Sequence, residues 1–162
     1  MYAFSKALGA YVIVSDPVLW RREFALRNGA DKAFAPEELP EAAQRITNGS
    51  GVDTVLECSG NGAAYNNCLK SLKIGGKLVA IGEHAELTLK PSDQIIRRSL
   101  SIIGTWYSTL PHAAEIMQMA ITKRIELRSF LTGTVTLDKV PELFGAIVNC
   151  EEGVMKYIIT FD

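Results

Sequence analysis

The 162-residue chain is short of cysteine, histidine and net charge. Its three cysteines, Cys58, Cys68 and Cys150, are an odd number, far apart and set among apolar residues, a pattern that suits free thiols in a reducing, cytoplasmic compartment better than a disulfide framework. His84 and His112 are the only histidines, and no Cys/His grouping has zinc-ligand spacing. With 17 Lys plus Arg against 18 Asp plus Glu, there is no basic field to hold a nucleic-acid backbone or an anionic membrane. The opening MYAFSKALGAYVIV meets a charge at Asp16, too soon for a spanning helix, and carries no small-residue cleavage pattern. Nucleic acid and membrane are thereby excluded as expected partners. What is present, 48% hydrophobic and 22% charged residues, is the composition of a globular chain. A chain of this length buries roughly 70% of the surface it exposes when unfolded.

Apolar runs and helical periodicities alternate. Residues 1–8 read as a helix stopped at Gly9, YVIVSD (11–16) as a strand buried on both faces, and Leu19, Trp20, Phe24, Ala25 and Leu26 as one stripe of a helix ending at Asn28 and Gly29. Residues 33–35 form a brief strand and 36–47 a helix. VDTVLE (52–57) is a strand, 61–72 a helix and GKLVAIG (76–82) a strand. Residues 87–89 read as a small edge segment, 91–98 as a short helix and LSIIGT (100–105) as another strand. The pattern then changes to a helix over 110–123, a strand over 130–136, a helix over 137–148 and a final strand over 155–161. Such alternation predicts an α/β fold, a doubly wound parallel sheet of Rossmann-like type.

In open parallel sheets ligands lie beyond the carboxyl ends of the strands. Asp16 ends the first strand, where a carboxylate can accept both hydroxyls of an adenosine ribose; it can equally cap the helix that follows. Arg21 and Arg22 in that helix suit either a solvated face or an adenine or 2'-phosphate contact. Three further strand ends, at Glu57-Cys58-Ser59-Gly60, Ile81-Gly82-Glu83 and Gly104-Thr105-Trp106, place glycine where a ligand or a crossing backbone can approach. Together they make a candidate rim. His84, among polar neighbours after Gly82, reads as a solvent-exposed loop residue, and His112 as a first-turn helix residue. Ser59 lacks the flanking glycines of a nucleophile elbow, and no catalytic constellation is visible.

As an ordered set, GAYVIVSDPVLWRREFALRNGAD, GVDTVLECSGN, GGKLVAIG, LSIIGTW and VMKYIITF resemble the C-terminal portion of the zinc-dependent medium-chain alcohol and polyol dehydrogenases. The resemblance covers essentially the whole chain. It implies a partial NAD-binding Rossmann domain over 1–105 and, over 106–162, the returning tail of the catalytic domain. It further implies that Asp16 binds the ribose and favours NAD over NADP, and that Arg21 flanks the adenosine. Cys58 and Ser59 would pass the nicotinamide ribose. Ile81, Gly82 and Glu83 would meet the nicotinamide, Gly104, Thr105 and Trp106 would hold the carboxamide, and Lys156, in the last strand, would reach the pyrophosphate. By the same resemblance the substrate is a small alcohol or polyol, and subunits pair as homo-oligomers through the sheet edges near 87–89 and 100–104.

The sequence departs from the family pattern in lacking a G-x-G-x-x-G turn, the loop that seats a pyrophosphate on a helix N-terminus. The family's zinc ligands and proton relay find no match, so zinc is expected in full-length relatives only. The expectation is therefore a dehydrogenase coenzyme portion truncated at its N-terminus, weak in NAD binding and without turnover by itself. Two alternatives stand beside it: a non-catalytic assembly module, and a Rossmann-like methyltransferase, which also uses an acid at the end of its second strand.

Overall fold

Most of the apolar-periodic segments become helices and most of the β-branched runs strands in the computed structural model, which describes residues 1–123 and 125–161. These residues divide into two compact units, Met1–Ala33 with Thr109–Asp162, and Phe34–Ser108.

The second unit contains the large buried side chains. Helix α3 (Leu39–Ile46) buries Leu39, Ala42 and Ala43, one stripe at helical spacing. Strands β3 (Val52–Glu57), β4 (Leu72–Ala80) and β5 (Ser101–Gly104) form a parallel sheet in the order β3-β4-β5. Strand β4 starts earlier and ends sooner than its apolar run suggests, because helix α4 (Gly62–Ser71) passes straight into it. Both ends of α4 are chemically set. Asn61 accepts hydrogen bonds at its side-chain oxygen from Ala63 N (2.9 Å) and Ala64 N (3.1 Å), satisfying two otherwise free donors. At the other end the Arg98 guanidinium donates to Leu69 O (2.7 Å) and to Leu72 O.

The buried face of α4, Tyr65, Cys68 and Leu69, packs with Leu72 and Leu78 of β4 and with Leu100 into one cluster. Each such leucine contributes about 1.5–3 kcal/mol. Residues 87–89 do not form the expected edge strand. Their alternation serves packing instead: Leu87 and Leu89 lie on the core cluster while Thr88 and Lys90 are exposed. A four-residue helix α5 (Pro91–Gln94) and a 3₁₀ turn (Ile96–Arg98) lead into β5.

The first unit begins with α1 (Tyr2–Ala7), β1 (Ile13–Ser15), α2 (Leu19–Arg27) and β2 (Lys32–Phe34), whose last residue opens the other unit; β1 and β2 pair as a two-stranded sheet. It resumes with α6 (Leu110–Thr122), β6 (Gly133–Thr136), α7 (Val140–Val148) and β7 (Tyr157–Thr160). Thr109 and His112 form a reciprocal capping box at the start of α6, the first-turn position expected of His112. The strand expected over 130–136 is shorter. Residues Leu127–Phe130 coil into a 3₁₀ turn, closed by Glu126, which accepts from Arg128 N (3.1 Å) and Ser129 Oγ (2.8 Å). The helix expected over 137–148 likewise opens with a 3₁₀ turn, Leu137–Lys139. β6 and β7 pair in parallel from Gly133 opposite Tyr157 to Thr136 opposite Thr160.

Within this unit the Phe130 ring meets Tyr2 at 5.5 Å and Phe24 at 6.1 Å, both edge-on, and Trp20 Nε1 donates to Cys150 O (3.3 Å). Asp31 pairs with Lys6 (2.8 Å) and accepts from Val12 N (2.6 Å); the Lys6 and Val12 hydrogen bonds hold its carboxyl below the ordinary range. No described helix is long and apolar enough to cross a membrane.

Candidate functional site

Parallel pairing sends the three strands of the second unit out on one side. Glu57, Ala80 and Gly104 stand in register, so the segments that follow emerge next to each other. Ile81 N and Gly82 N donate to Glu57 O (2.8 and 3.0 Å), and Thr105 N donates to Ala80 O (3.1 Å). Cys58 and Ser59, Ile81, Gly82 and Glu83, and Gly104, Thr105 and Trp106 are thereby brought to one rim, as expected from the sequence. The glycines answer first to the chain's own crossing. A Cβ on Gly82 would overlap Gly60 N and lie 2.9 Å from both Cys58 C and Glu57 Oε2, and one on Gly60, at φ +65°, would overlap Glu83 O. At Gly104 the corresponding space is open.

Beneath this rim lies a group that the sequence reading named only as the end of a strand. Glu57 is 2% exposed. Its Oε1 accepts from Ser59 N (2.8 Å) and Ser59 Oγ; its Oε2 accepts from Gly60 N (3.4 Å) and lies 3.3 Å from His84 Nε2. Burial pushes this carboxyl up, but the hydrogen bonds from Ser59, His84 and Gly60 outweigh it and leave it below the ordinary value. The expectation of an exposed His84 is wrong. Its side chain is 11% exposed and its ring stands edge-on to Tyr65 at 5.3 Å, because the buried carboxylate supplies a partner that polar neighbours in sequence do not reveal. A carboxylate only accepts, so Nε2 carries the hydrogen. In this chain of contacts the carboxylate lies between serine and histidine, which rules out the hydrolase order, where the imidazole is in the middle.

Cys58 is exposed, and partial desolvation, followed by the Glu57 charge, pushes its thiol up. Beyond β5, Trp106 and Tyr107 are 72% and 85% exposed and stack edge-on at 4.6 Å, with Tyr107 in the left-handed region at φ +49°.

In the first unit Asp16 follows β1 directly. Its Oδ1 accepts from Val18 N (2.8 Å), the local turn of the capping alternative, and among the described residues its Oδ2 has no protein donor. Arg22 Nη1 donates to Asp16 O (2.6 Å) and Pro17 O (3.0 Å), so Arg22 is tied to the turn. Arg21 lies over the Trp20 ring at 5.5 Å, and its Nε is buried with no hydrogen-bond partner among the described residues. Lys156 is not in the last strand but immediately before β7. Its carbonyl accepts from Thr132 N (2.8 Å) and Thr132 Oγ1 (3.2 Å), which fixes the backbone there, and the residue is exposed.

Among the described residues no group of three or more His, Cys, Asp or Glu stands where it could share a metal ion. These side chains do not fit a zinc centre. Within the first unit Asp16 keeps a carboxylate oxygen of the kind that accepts ribose hydroxyls. Within the second, space is open at Gly104, at the end of β5.

The family profile described as zinc-binding dehydrogenase matches residues 1–140. The L-threonine 3-dehydrogenase of Pyrococcus horikoshii is 36% identical over 118 residues, 65% of this chain and 34% of that protein. The (R,R)-butanediol dehydrogenase of Neisseria gonorrhoeae is 27% identical over 161 residues, covering 97% of this chain and 45% of that one. The crystal structure of an alcohol dehydrogenase from Thermotoga maritima superposes with a TM-score of 0.86 at 22% identity, over 99% of this chain and 46% of the other. The chain thus spans between a third and a half of the length of these relatives. Its α/β fold is that of the Rossmann-like part of such enzymes, and by the match over residues 1–140 the chain belongs to the zinc-binding dehydrogenase family.

Proposed function

We propose that this chain supplies the coenzyme-positioning part of an NAD-dependent alcohol or polyol dehydrogenase. The observation that carries this reading is the in-register emergence of three strand ends at Glu57, Ala80 and Gly104, the place where parallel sheets hold nucleotides. In the first unit, Asp16 accepts ribose hydroxyls through its free oxygen and repels a 2'-phosphate, Arg21 flanks the adenosine, and Lys156 meets the pyrophosphate. In the second, Cys58 and Ser59 pass the nicotinamide ribose. Ile81, Gly82 and Glu83 border the nicotinamide, and Gly104, Thr105 and Trp106 hold its carboxamide. The bound nicotinamide supplies a hydride acceptor for the alcohol carbon; the protein residues bind and orient it.

Without a G-x-G-x-x-G turn the pyrophosphate lacks its usual seat of free helix N–H groups, so binding by these residues alone is weak and turnover is absent. Calorimetric titration tests this. The expected result is an NADH Kd of about a millimolar or weaker, roughly -4 kcal/mol, with NADPH weaker still until Asp16 is replaced by Ala. Tight NADH binding or oxidation of simple alcohols by the purified chain would refute the incomplete site; no saturable heat from either coenzyme would refute coenzyme binding.

The same reading places the protein in the cytoplasm, acting on a small alcohol or polyol as a dimer. Ile102 and Ile103 on β5, at the edge of the three-stranded sheet, are 37% and 45% exposed, which supports pairing through that edge. A clean monomer by light scattering at high concentration would dismiss that part and the assembly-module alternative with it.

A further inference from the structure

Burying a carboxylate is expensive, and the other large side chains buried as fully as Glu57 are leucines, Leu69, Leu72 and Leu78. A leucine at this position would fill space without desolvating a charge, so packing alone does not account for the glutamate. What the carboxylate adds is connection. Oε1 holds the N–H and O–H of Ser59, Oε2 holds Gly60 N and His84 Nε2, and the main-chain oxygen of the same residue holds Ile81 N and Gly82 N. A single residue thus engages segments on both sides of the gap between the ends of β3 and β4. The crossing at Gly60 and Gly82 leaves no room for either segment to slide past the other. The carboxylate itself is sealed from solvent.

We infer that Glu57 is a positioning residue: through Ser59, Gly60 and His84 it locks the segment after β3 against the segment after β4, and so sets the peptide edges offered to the nicotinamide end of the coenzyme. The inference rests on the proposed coenzyme reading and names the part of the site that depends on this buried group. His84 is its outer clamp. The imidazole bridges from the rim to the carboxylate while its ring packs edge-on with Tyr65 of α4, which explains why a histidine is sequestered after Gly82.

Three variants test it: Glu57→Gln, close in volume; Ser59→Ala, which removes one donor; and His84→Phe, which keeps a ring against Tyr65 but removes the donor to the carboxylate. Amide hydrogen exchange is read at Ser59, Gly60 and Gly82 and compared with Leu78 and Val79 in β4. Calorimetry compares NADH with ADP-ribose, which lacks the nicotinamide. The expected result is exchange faster by about tenfold at Ser59 and Gly60 with Leu78 and Val79 unchanged, the effect of losing a hydrogen bond to a charged group. NADH affinity falls by about tenfold while ADP-ribose affinity holds, the scale of loss on removing a group that orients ligand-contacting residues. Unchanged exchange at the rim, an equal rise throughout β4, or an equal loss of affinity for both ligands would overturn the inference. Should the unmodified chain bind neither ligand, the coenzyme reading falls, and the exchange rates alone decide whether Glu57 locks the two segments. If Glu57→Gln does not fold, Ser59→Ala and His84→Phe carry the same comparison.

Discussion

The two units make the same kinds of helix and strand but differ in what they bury. In Phe34–Ser108, Leu69, Leu72 and Leu78 are at most 1% exposed, with Tyr65, Cys68 and Leu100 around them. In the other unit the buried side chains among the described residues are those of Ala25 and Ala30, while Met117, Ile121, Phe144 and Val148 on α6 and α7 are each more than 60% exposed. Local periodicity produces a helix in either case. A core requires that the apolar faces of sheet and helix meet, and α4 meets β3 and β4 in a way that α6 and α7 do not match within their own unit. The candidate rim is built on the unit with the filled core, where strand ends can be held still; a site on rigid elements loses less on binding.

The strongest way to break this contrast is a pair of truncations. Leu69→Ala should cost about 3–5 kcal/mol in urea unfolding, whereas Phe144→Ala, at 64% exposure, should stay within about 0.5 kcal/mol; equal effects would abolish the distinction. Next comes alkaline pH. Burial, followed by the Glu57 and Cys58 charges, pushes the Cys68 thiol up from 9.0 to about 12. The folded state therefore keeps a proton that the unfolded chain gives up. Stability contributed by this thiol is complete below pH 9 and is lost as pH rises towards 12, by at most about 4 kcal/mol. Tyr65 shifts the same way, so Cys68→Ala should flatten part of the alkaline loss, read by circular dichroism.

Arg98→Met should cost about 1–3 kcal/mol by removing the guanidinium from the carbonyls of Leu72 and of Leu69, the latter keeping only the Leu72 N–H. On the acid side Glu57 has a depressed value, so its contribution is present above the ordinary carboxylate range and disappears as pH falls through the folded value. The expected signature is a steeper acid loss in the native chain than in Glu57→Gln, and coincident curves would count against the buried network. The smallest perturbation is thiol labelling. Exposed Cys58 should react with a disulfide reagent at a rate reduced by its raised thiol value, and Cys68 only upon unfolding. Prompt modification of Cys68 would mean that the core of the second unit opens readily.

Much of the fold is legible in the residues. The strand at 52–57, the helix from 61, the strand at 101–104 and the helices at 19–27 and 110–122 follow from period and punctuation, since these are local properties of the chain. Local chemistry also misleads. Leu87 and Leu89 alternate as a strand would but are used to cover Tyr65 and its neighbours, and the side chain of Glu126 turns the start of an apolar run into a 3₁₀ coil. At the rim, Cys58, Ser59, Gly82 and Gly104 could be named because strand ends can be counted. The role of Glu57 could not, since a glutamate closing an apolar strand gives no local sign of the histidine, 27 positions further on, that faces it.

By itself, then, the sequence determined the α/β alternation, the family and the three strand ends, all set by short-range periodicity and ordered motifs. Only the tertiary structure decided that Gly60 and Gly82 serve a crossing of the chain, that His84 is enclosed rather than exposed, and that a buried carboxylate joins them. The physical reason is the same for all three: a close approach or a desolvated hydrogen bond is a relation between segments distant in sequence, and it comes into being only when parallel pairing lays β3 beside β4.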